Sequence, residues 1–179
     1  MQVIEHYELT SAQSSIDFTA ISSGYTHLCL KASLRQTDNS SFCGLKVNGG
    51  VTGLSSRIIY GNGSVDGSLT YAVAGDYNLW GYINASSYTS NTFSSTEFII
   101  FNYASNVAKP ISIDSVAENN DAIAPAIISA GLYNSSTAIT SLSLVPLNSS
   151  LQPAGTFTQY SSATLYGITA GSDGTTVVS

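Results

Sequence analysis

Apolar and polar side chains alternate one by one along much of this chain. Ile16, Phe18 and Ala20 are interleaved with Ser15, Asp17 and Thr19, and Leu28, Leu30, Ala32 and Leu34 with His27, Cys29, Lys31, Ser33 and Arg35. Ile111 and Ile113 flank Ser112, Leu142 and Leu144 flank Ser143, and Phe98 and Ile100 share a parity, as do Ile128, Ala130 and Leu132. Successive residues of an extended strand point to opposite faces, so each run predicts a strand with one apolar row on a core and one polar row outward. No window carries an apolar stripe at helical spacing with caps, and Ser, Thr, Gly and Asn, poor helix formers, dominate throughout.

Turn signals punctuate the runs every 8–12 residues or so, the rhythm of sandwiches and barrels. Asn48-Gly49-Gly50, Asn62-Gly63, Asp66-Gly67, Gly75-Asp76 and Asn119-Asn120-Asp121 offer the positive φ that tight turns need. Pro110 and Pro125 stand at the start of apolar runs, where a strand can spare an N–H. The expectation is an all-β fold: about ten to twelve short strands in an antiparallel β-sandwich, jelly-roll-like in first place, with an immunoglobulin-like or barrel-like sandwich as the alternative. Residues 1–168 read as a single sandwich domain. Residues 169–179 read as a C-terminal tail, either frayed or, through Thr175, Thr176, Val177 and Val178, an attachment arm that adds a strand to a neighbour's sheet edge.

Composition narrows the function classes. Charged residues make up only 9% of the 179, against about 25% in typical domains. Five basic residues against eleven acidic ones give a net charge of −6. Lys31, Arg35, Lys46, Arg57 and Lys109 are scattered, so neither nucleic acid nor an anionic membrane is an expected partner. The opening residues lack the basic and apolar regions of a signal peptide, and no apolar run approaches membrane-spanning length; the chain is expected to stay in a cytoplasm until it assembles with something. In that setting Cys29 and Cys43 are expected as reduced thiols, and five Asn-x-Ser sequons mark loops rather than glycosylation.

The candidate chemistry is thin. His6 and His27 are the only imidazoles. A His27–Cys29–Cys43 metal site would lack the closely spaced ligand pairs of structural zinc, and no Gly-x-Ser-x-Gly elbow supports a Ser–His–Asp triad. Glu97, Asp114, Glu118 and Asp121, with Asp17 and Asp76, are the carboxylates from which a glycosidase pair would have to come; Glu118-Asn119-Asn120-Asp121 reads as a solvated turn, with calcium coordination as its minor alternative. Because these groups do not cluster along the chain, no catalytic residue, metal or cofactor is expected. The aromatics are more promising. Tyr77, Trp80, Tyr82 and Tyr88 lie in a stretch rich in Gly, Asn and Ser. They are read either as the core row of one strand, as a protein interface, or as a platform for sugar rings.

An ordered series of segments resembles the small virion structural proteins of tailed bacteriophages. It begins with Tyr7-Glu8-Leu9, Ser15 to Ile21, and Gly24-Tyr25-Thr26-His27-Leu28 with the strand that runs to Arg35. It continues with Arg57 to Ser64, Asn91-Thr92-Phe93, Asn119-Asn120, Gly131-Leu132-Tyr133, Ala138 to Leu142, and closes on Leu165-Tyr166-Gly167-Ile168. The chain departs from that pattern in continuing to Ser179 and in carrying Cys29 where a polar residue is usual. The resemblance implies a particle component without catalytic or metal residues. The leading expectation is a capsid decoration (cement) protein on the outer surface of the phage head, a dimer or trimer bound to the major capsid protein or other virion proteins. The alternative is a head or tail fibre or spike domain that recognises host surface glycan.

Overall fold

The computed structural model describes residues 1–72, 74–120 and 124–170, and its twelve strands form two antiparallel sheets. The strands are β1 (Gln2–Glu8), β2 (Ile16–Phe18), β3 (His27–Ser33), β4 (Phe42–Val47), β5 (Leu54–Gly61), β6 (Asp66–Tyr71), β7 (Trp80–Tyr82), β8 (Ser95–Phe101), β9 (Lys109–Val116), β10 (Ala126–Tyr133), β11 (Leu142–Leu147) and β12 (Ser162–Ile168). The long sheet has the order β1-β12-β3-β8-β9-β10-β5-β6, the short one β2-β11-β4-β7. Asp121 of the expected carboxylate turn, and Thr175, Thr176, Val177 and Val178 of the expected arm, lie outside the described residues.

The pairing is that of a jelly roll. β1 pairs with β12, β2 with β11, β3 with β8 and β4 with β7, as when one long antiparallel ribbon is rolled so that its outermost strands meet. Two further hairpins, β5–β6 and β9–β10, are inserted into this frame and extend the long sheet beyond β8. The immunoglobulin-like alternative lacks this nesting of first strand with last.

The alternating rows identified the core correctly in most strands. Ile16 and Phe18, Leu28, Leu30 and Leu34, Phe98 and Ile100, Ile111 and Ile113, and Leu142 and Leu144 all meet in one cluster between the sheets. β10 is the exception. Ile128, Ala130 and Leu132 do share a face, but it is the outer one, with Ile128 65% exposed, while Ile127 and Tyr133 turn inward. The segment Ala126-Ile127-Ile128-Ser129-Ala130-Gly131-Leu132-Tyr133 has apolar residues at both parities, so alternation alone could not choose between them.

The extension covers a second core. Phe42, Trp80, Tyr82, Val145 and Leu147 project from the short sheet on the side away from the first cluster, and they pack with Ile58, Tyr60, Tyr71 and Ile127 of the extension. The long sheet therefore curls round the β7 edge of the short one. A strand edge run against a sheet face would leave backbone groups unpaired. Here Ser115 Oγ accepts the Tyr82 N–H (2.7 Å), and Thr96 Oγ1 donates to the Tyr82 carbonyl (3.2 Å). Gly81, between them, has Ser115 Oγ and Thr96 Cγ2 each 3.0 Å from where a Cβ would stand, so any side chain there would push the edge off.

Most of the expected turns are in place. Asn48 (φ 50°) and Gly49 (φ 77°) form a two-residue turn closed by reciprocal Val47–Gly50 backbone bonds, the primed geometry that asparagine and glycine favour. Asn62 Oδ1 accepts the N–H groups of Ser64 and Val65 in the β5–β6 hairpin. Asp66-Gly67 is not a turn: it opens β6, with Gly67 under the Tyr60 ring.

Candidate functional site

The four aromatic residues singled out by the sequence divide between the core and the surface. Trp80 is 2% exposed, and its ring centroid lies 5.0 Å from Phe42, 5.6 Å from Tyr71 and 5.7 Å from Tyr82, all near-perpendicular contacts. Tyr77 is buried against Gly44 and Leu147 in the same cluster. Of the readings the sequence offered, Tyr77 and Trp80 take the core one: both rings are packed in the second cluster under the curled extension. Tyr82 and Tyr88 are half-buried, and both line a cleft of about 530 Å³ at one end of the sandwich.

This cleft draws its walls from five connections, four of them besides the β7–β8 segment that carries Tyr88. Asn39 to Ser41 come from the β3–β4 loop, Asn62 from the β5–β6 turn, Asn119 and Pro125 from the β9–β10 connection, and Ser149 from the β11–β12 connection. Phe42 and Tyr82, register partners on β4 and β7 with ring centroids 5.4 Å apart, form an aromatic wall. Tyr88 faces them from the segment after β7 and accepts a hydrogen bond from Ser41 Oγ at 3.0 Å. None of the described lining residues carries a carboxylate, ammonium, guanidinium or imidazole. Tyr82 is held above the usual tyrosine pKa by burial first and then by Tyr88, Tyr60 and Tyr71, so it stays a neutral O–H donor at physiological pH.

A residue that sequence reasoning passed over holds this wall in place. Arg35, just beyond β3, donates Nη1 to the carbonyls of Thr89 (2.8 Å) and Thr92 (3.2 Å), and Nη2 to those of Ser86 (3.1 Å) and Tyr88 (2.9 Å). A planar fork with five donors suits such a cluster of carbonyls, where a lysine would not reach them together. Thr89 Oγ1 donates to the Asn119 carbonyl (2.6 Å), tying the same segment to the opposite wall, and Asn84 Nδ2 bonds the Glu118 carbonyl and Thr92 Oγ1.

The other candidate groups are dispersed. His6 Nδ1 shares a hydrogen bond with Thr164 Oγ1 (2.7 Å), and His27 Nδ1 accepts the Asn102 N–H (3.0 Å). His27 and Cys29 sit on β3 of the long sheet, whereas Cys43 is sealed in the first core from β4 of the short one; both thiols are free, and the three residues do not converge. Glu97 binds Lys31 (2.8 Å) and accepts the Cys29 thiol (3.7 Å); Asp114 is its register partner across β8–β9 on the outer face. Asp17 accepts from Ser15 Oγ, Asp76 from Gln152, and Glu118 from the backbone of Asn120. Among the described residues no three His, Cys, Asp or Glu side chains group as metal ligands, and no helix is long and apolar enough to cross a membrane.

The two thiols make stability depend on alkaline pH. Burial pushes the Cys43 thiol well up from its usual value near 9, and burial, then the Glu97 charge, pushes Cys29 up to about 11. In the unfolded chain both ionise from about pH 9, while the folded forms keep their protons. Stability contributed by these groups is therefore whole below pH 9 and lost as pH rises above it. Lys109, lowered by burial, acts in the opposite sense. The urea midpoint is expected to fall between pH 8 and pH 10.5, and Cys43→Ala to fall less steeply over that interval; an identical slope in the variant would show that Cys43 is not sealed.

Comparison with known proteins gives no match: no family model, no curated protein and no solved structure is similar to the chain.

Proposed function

We propose that this chain is a virion structural protein of a tailed phage, a decoration protein that binds the outer surface of the assembled head and stabilises it. The observation that carries this reading is the outer face of the sheet extension. Ile59 on β5, 69% exposed, and Ile128 on β10 are register partners there. Val116, Ala126, Ala130 and Leu132 continue the apolar surface, and a groove of about 320 Å³ runs beside it between Arg57, Ser68, Thr70 and Ile128. Contiguous apolar patches on soluble proteins mark contact surfaces. A stiff β-sheet presents this one with little to lose on ordering, and Arg57 and Asp114 border it as the polar rim.

Two further considerations support the reading. Five of the segments that resemble tailed-phage virion proteins fall on strands β2, β3, β5, β10 and β12, while Asn91-Thr92-Phe93, Asn119-Asn120 and residues 138–141 lie in connections, so the resemblance is spread over the fold rather than confined to one loop. A surface with few charges also suits a protein that buries much of itself, since each unpaired charge at an interface costs several kcal/mol. The work is mechanical: a protein that binds only the assembled lattice favours it by mass action. Self-association as a dimer or trimer would match such sites to the symmetry of the shell.

Particles lacking the protein, mixed with purified chain, test this. The wild type is expected to coat heads in many copies and to raise their resistance to heat. Ile128→Glu, at an exposed position that leaves folding intact, is expected to weaken binding about a hundredfold, since it places an unpaired charge in the contact. Binding confined to a few copies at the tail, or coating unchanged by Ile128→Glu, would overturn the decoration reading; the tail result would favour the fibre or spike alternative.

A further inference from the structure

We propose that the cleft between Tyr82 and Tyr88 is a binding site for an uncharged saccharide. The site lies at the loop end of the sandwich, apart from the apolar face on β5 and β10, and the inference does not depend on the lattice reading.

The chemistry of the walls selects the ligand class. A sugar ring has an apolar C–H face and an equatorial belt of hydroxyls, each both donor and acceptor. The C–H face needs an aromatic surface that is partly exposed and does not swing away. Tyr82 meets that need: its half-buried ring is held by a perpendicular contact with Trp80 and a tilted, near-parallel one with Phe42, and it borders the cleft. Tyr88 supplies the second surface, fixed at its hydroxyl by Ser41 and at its backbone carbonyl by Arg35. The hydroxyl belt needs groups that both give and accept, and Asn39, Asn62 and Ser149 are of that type. The Asn62 amide is already oriented, because its Oδ1 takes the Ser64 and Val65 N–H groups and turns Nδ2 into the donor role.

What the walls lack is equally selective. A phosphate, a sialic acid or a uronic acid would set a negative charge beside carbonyls and phenols, and among the described lining residues no cation receives it, since Arg35 holds four backbone carbonyls instead. A wholly apolar ligand would strand the asparagines and serines. The volume, about 530 Å³, falls within the range of small-ligand sites and holds one or two sugar rings. An open, amide-lined cleft of this kind gives weak single-site affinity, with Kd of order 1 mM, which repeated copies on a particle would multiply.

The test uses the full chain and hexasaccharides of glucose, galactose and N-acetylglucosamine, with an alginate hexasaccharide as the charged comparison, read by NMR shifts of the tyrosine ring protons. At least one neutral sugar is expected to shift Tyr82 and Tyr88 together at millimolar concentration, while the alginate oligomer leaves them unmoved. Tyr88→Ala, at a half-exposed position outside both cores, is expected to weaken that binding by about tenfold or more. Val107→Ala, exposed in the β8–β9 connection at the opposite end of those strands from the cleft, should leave it unchanged. Should none of the neutral sugars move Tyr82 and Tyr88, should alginate bind as well as they do, or should Tyr88→Ala bind like the wild type, the assignment falls. Each result stands whether or not the protein coats phage heads.

Discussion

Trp80→Ala is expected to cost the fold about 3–5 kcal/mol, the usual loss for deleting a large aromatic ring from a packed interior. That corresponds to a fall in Tm of roughly 10–15 °C for a domain of this size. The reason is positional. Trp80 is the side chain around which Phe42, Tyr71 and Tyr82 arrange their edges, and so it joins the short sheet to the curled extension. Without it Ile58 and Ile127 keep their own strand pairing but lose the filler that holds β5 and β10 over β4 and β7. Trp80→Phe should be far milder, about 1 kcal/mol, because a ring remains and the indole N–H, buried with no acceptor among the described residues, is removed at the same time. Urea denaturation of the two variants measures the difference. A loss under about 1 kcal/mol for Trp80→Ala would mean that the second cluster is no core at all, and the curled arrangement of the long sheet would fail with it.

The same residue shows where the sequence was readable and where it was not. Alternation reveals which strands exist, and in β2, β3 and β9 it also reveals their inner rows, because the other parity is mostly polar; in β8 and β11 it marks only Phe98 and Ile100, and Leu142 and Leu144, since Ile99 and Phe101, and Val145 and Leu147, make the other parity apolar as well. It fails in β10, where both parities are apolar, since one row serves the core and the other an exposed face. It also fails in β7, whose three residues Trp80, Gly81 and Tyr82 are too few to display a period. Burial of Trp80 depends on two inserted hairpins folding back over the short sheet, a long-range event with no local signature. The cleft was half legible. Tyr82 and Tyr88 were evident from their setting, but Phe42 comes from β4 and Asn39, Asn62 and Ser149 from separate connections, and only the closed topology brings them together. Arg35 was invisible for a different reason: an arginine ending an alternating strand looks like a solvated charge until its four carbonyl partners are seen.

Lys109 illustrates a buried charge whose role can be decided by substitution. It opens β9 with no exposed surface, and its ammonium donates to the carbonyls of Ser135 (2.8 Å) and Thr137 (2.7 Å), with the Tyr133 ring 5.9 Å away. Among the described residues no carboxylate pairs with it, so its compensation comes from backbone dipoles, and burial lowers its pKa. Two effects oppose each other in Lys109→Met, which keeps the length of the stem. Removing the cation relieves its desolvation, which favours the variant. Against this, the Ser135 and Thr137 carbonyls lose their bonds to a charged donor, each worth about 1.5–3 kcal/mol. The second effect is expected to prevail, because the other anchors of the segment between β10 and β11, through Gly53, Asn48, Ile21 and Tyr103, hold Asn134 and residues 138–141, while among the described residues only Lys109 donates to the Ser135 and Thr137 carbonyls. A net loss of about 2 kcal/mol at pH 7 is the expected outcome of urea denaturation. The pH dependence separates the two contributions. With its folded pKa below the unfolded value near 10.5, wild-type Lys109 sheds its proton first in the folded state, so the term it contributes grows more favourable as pH climbs toward 10.5. Lys109→Met lacks that rise, and its deficit relative to wild type should widen with pH. A deficit that narrows instead would show that the fold favours the cation and raises its pKa, and a variant more stable than wild type at pH 7 would show that burying the cation costs more than the two carbonyls return.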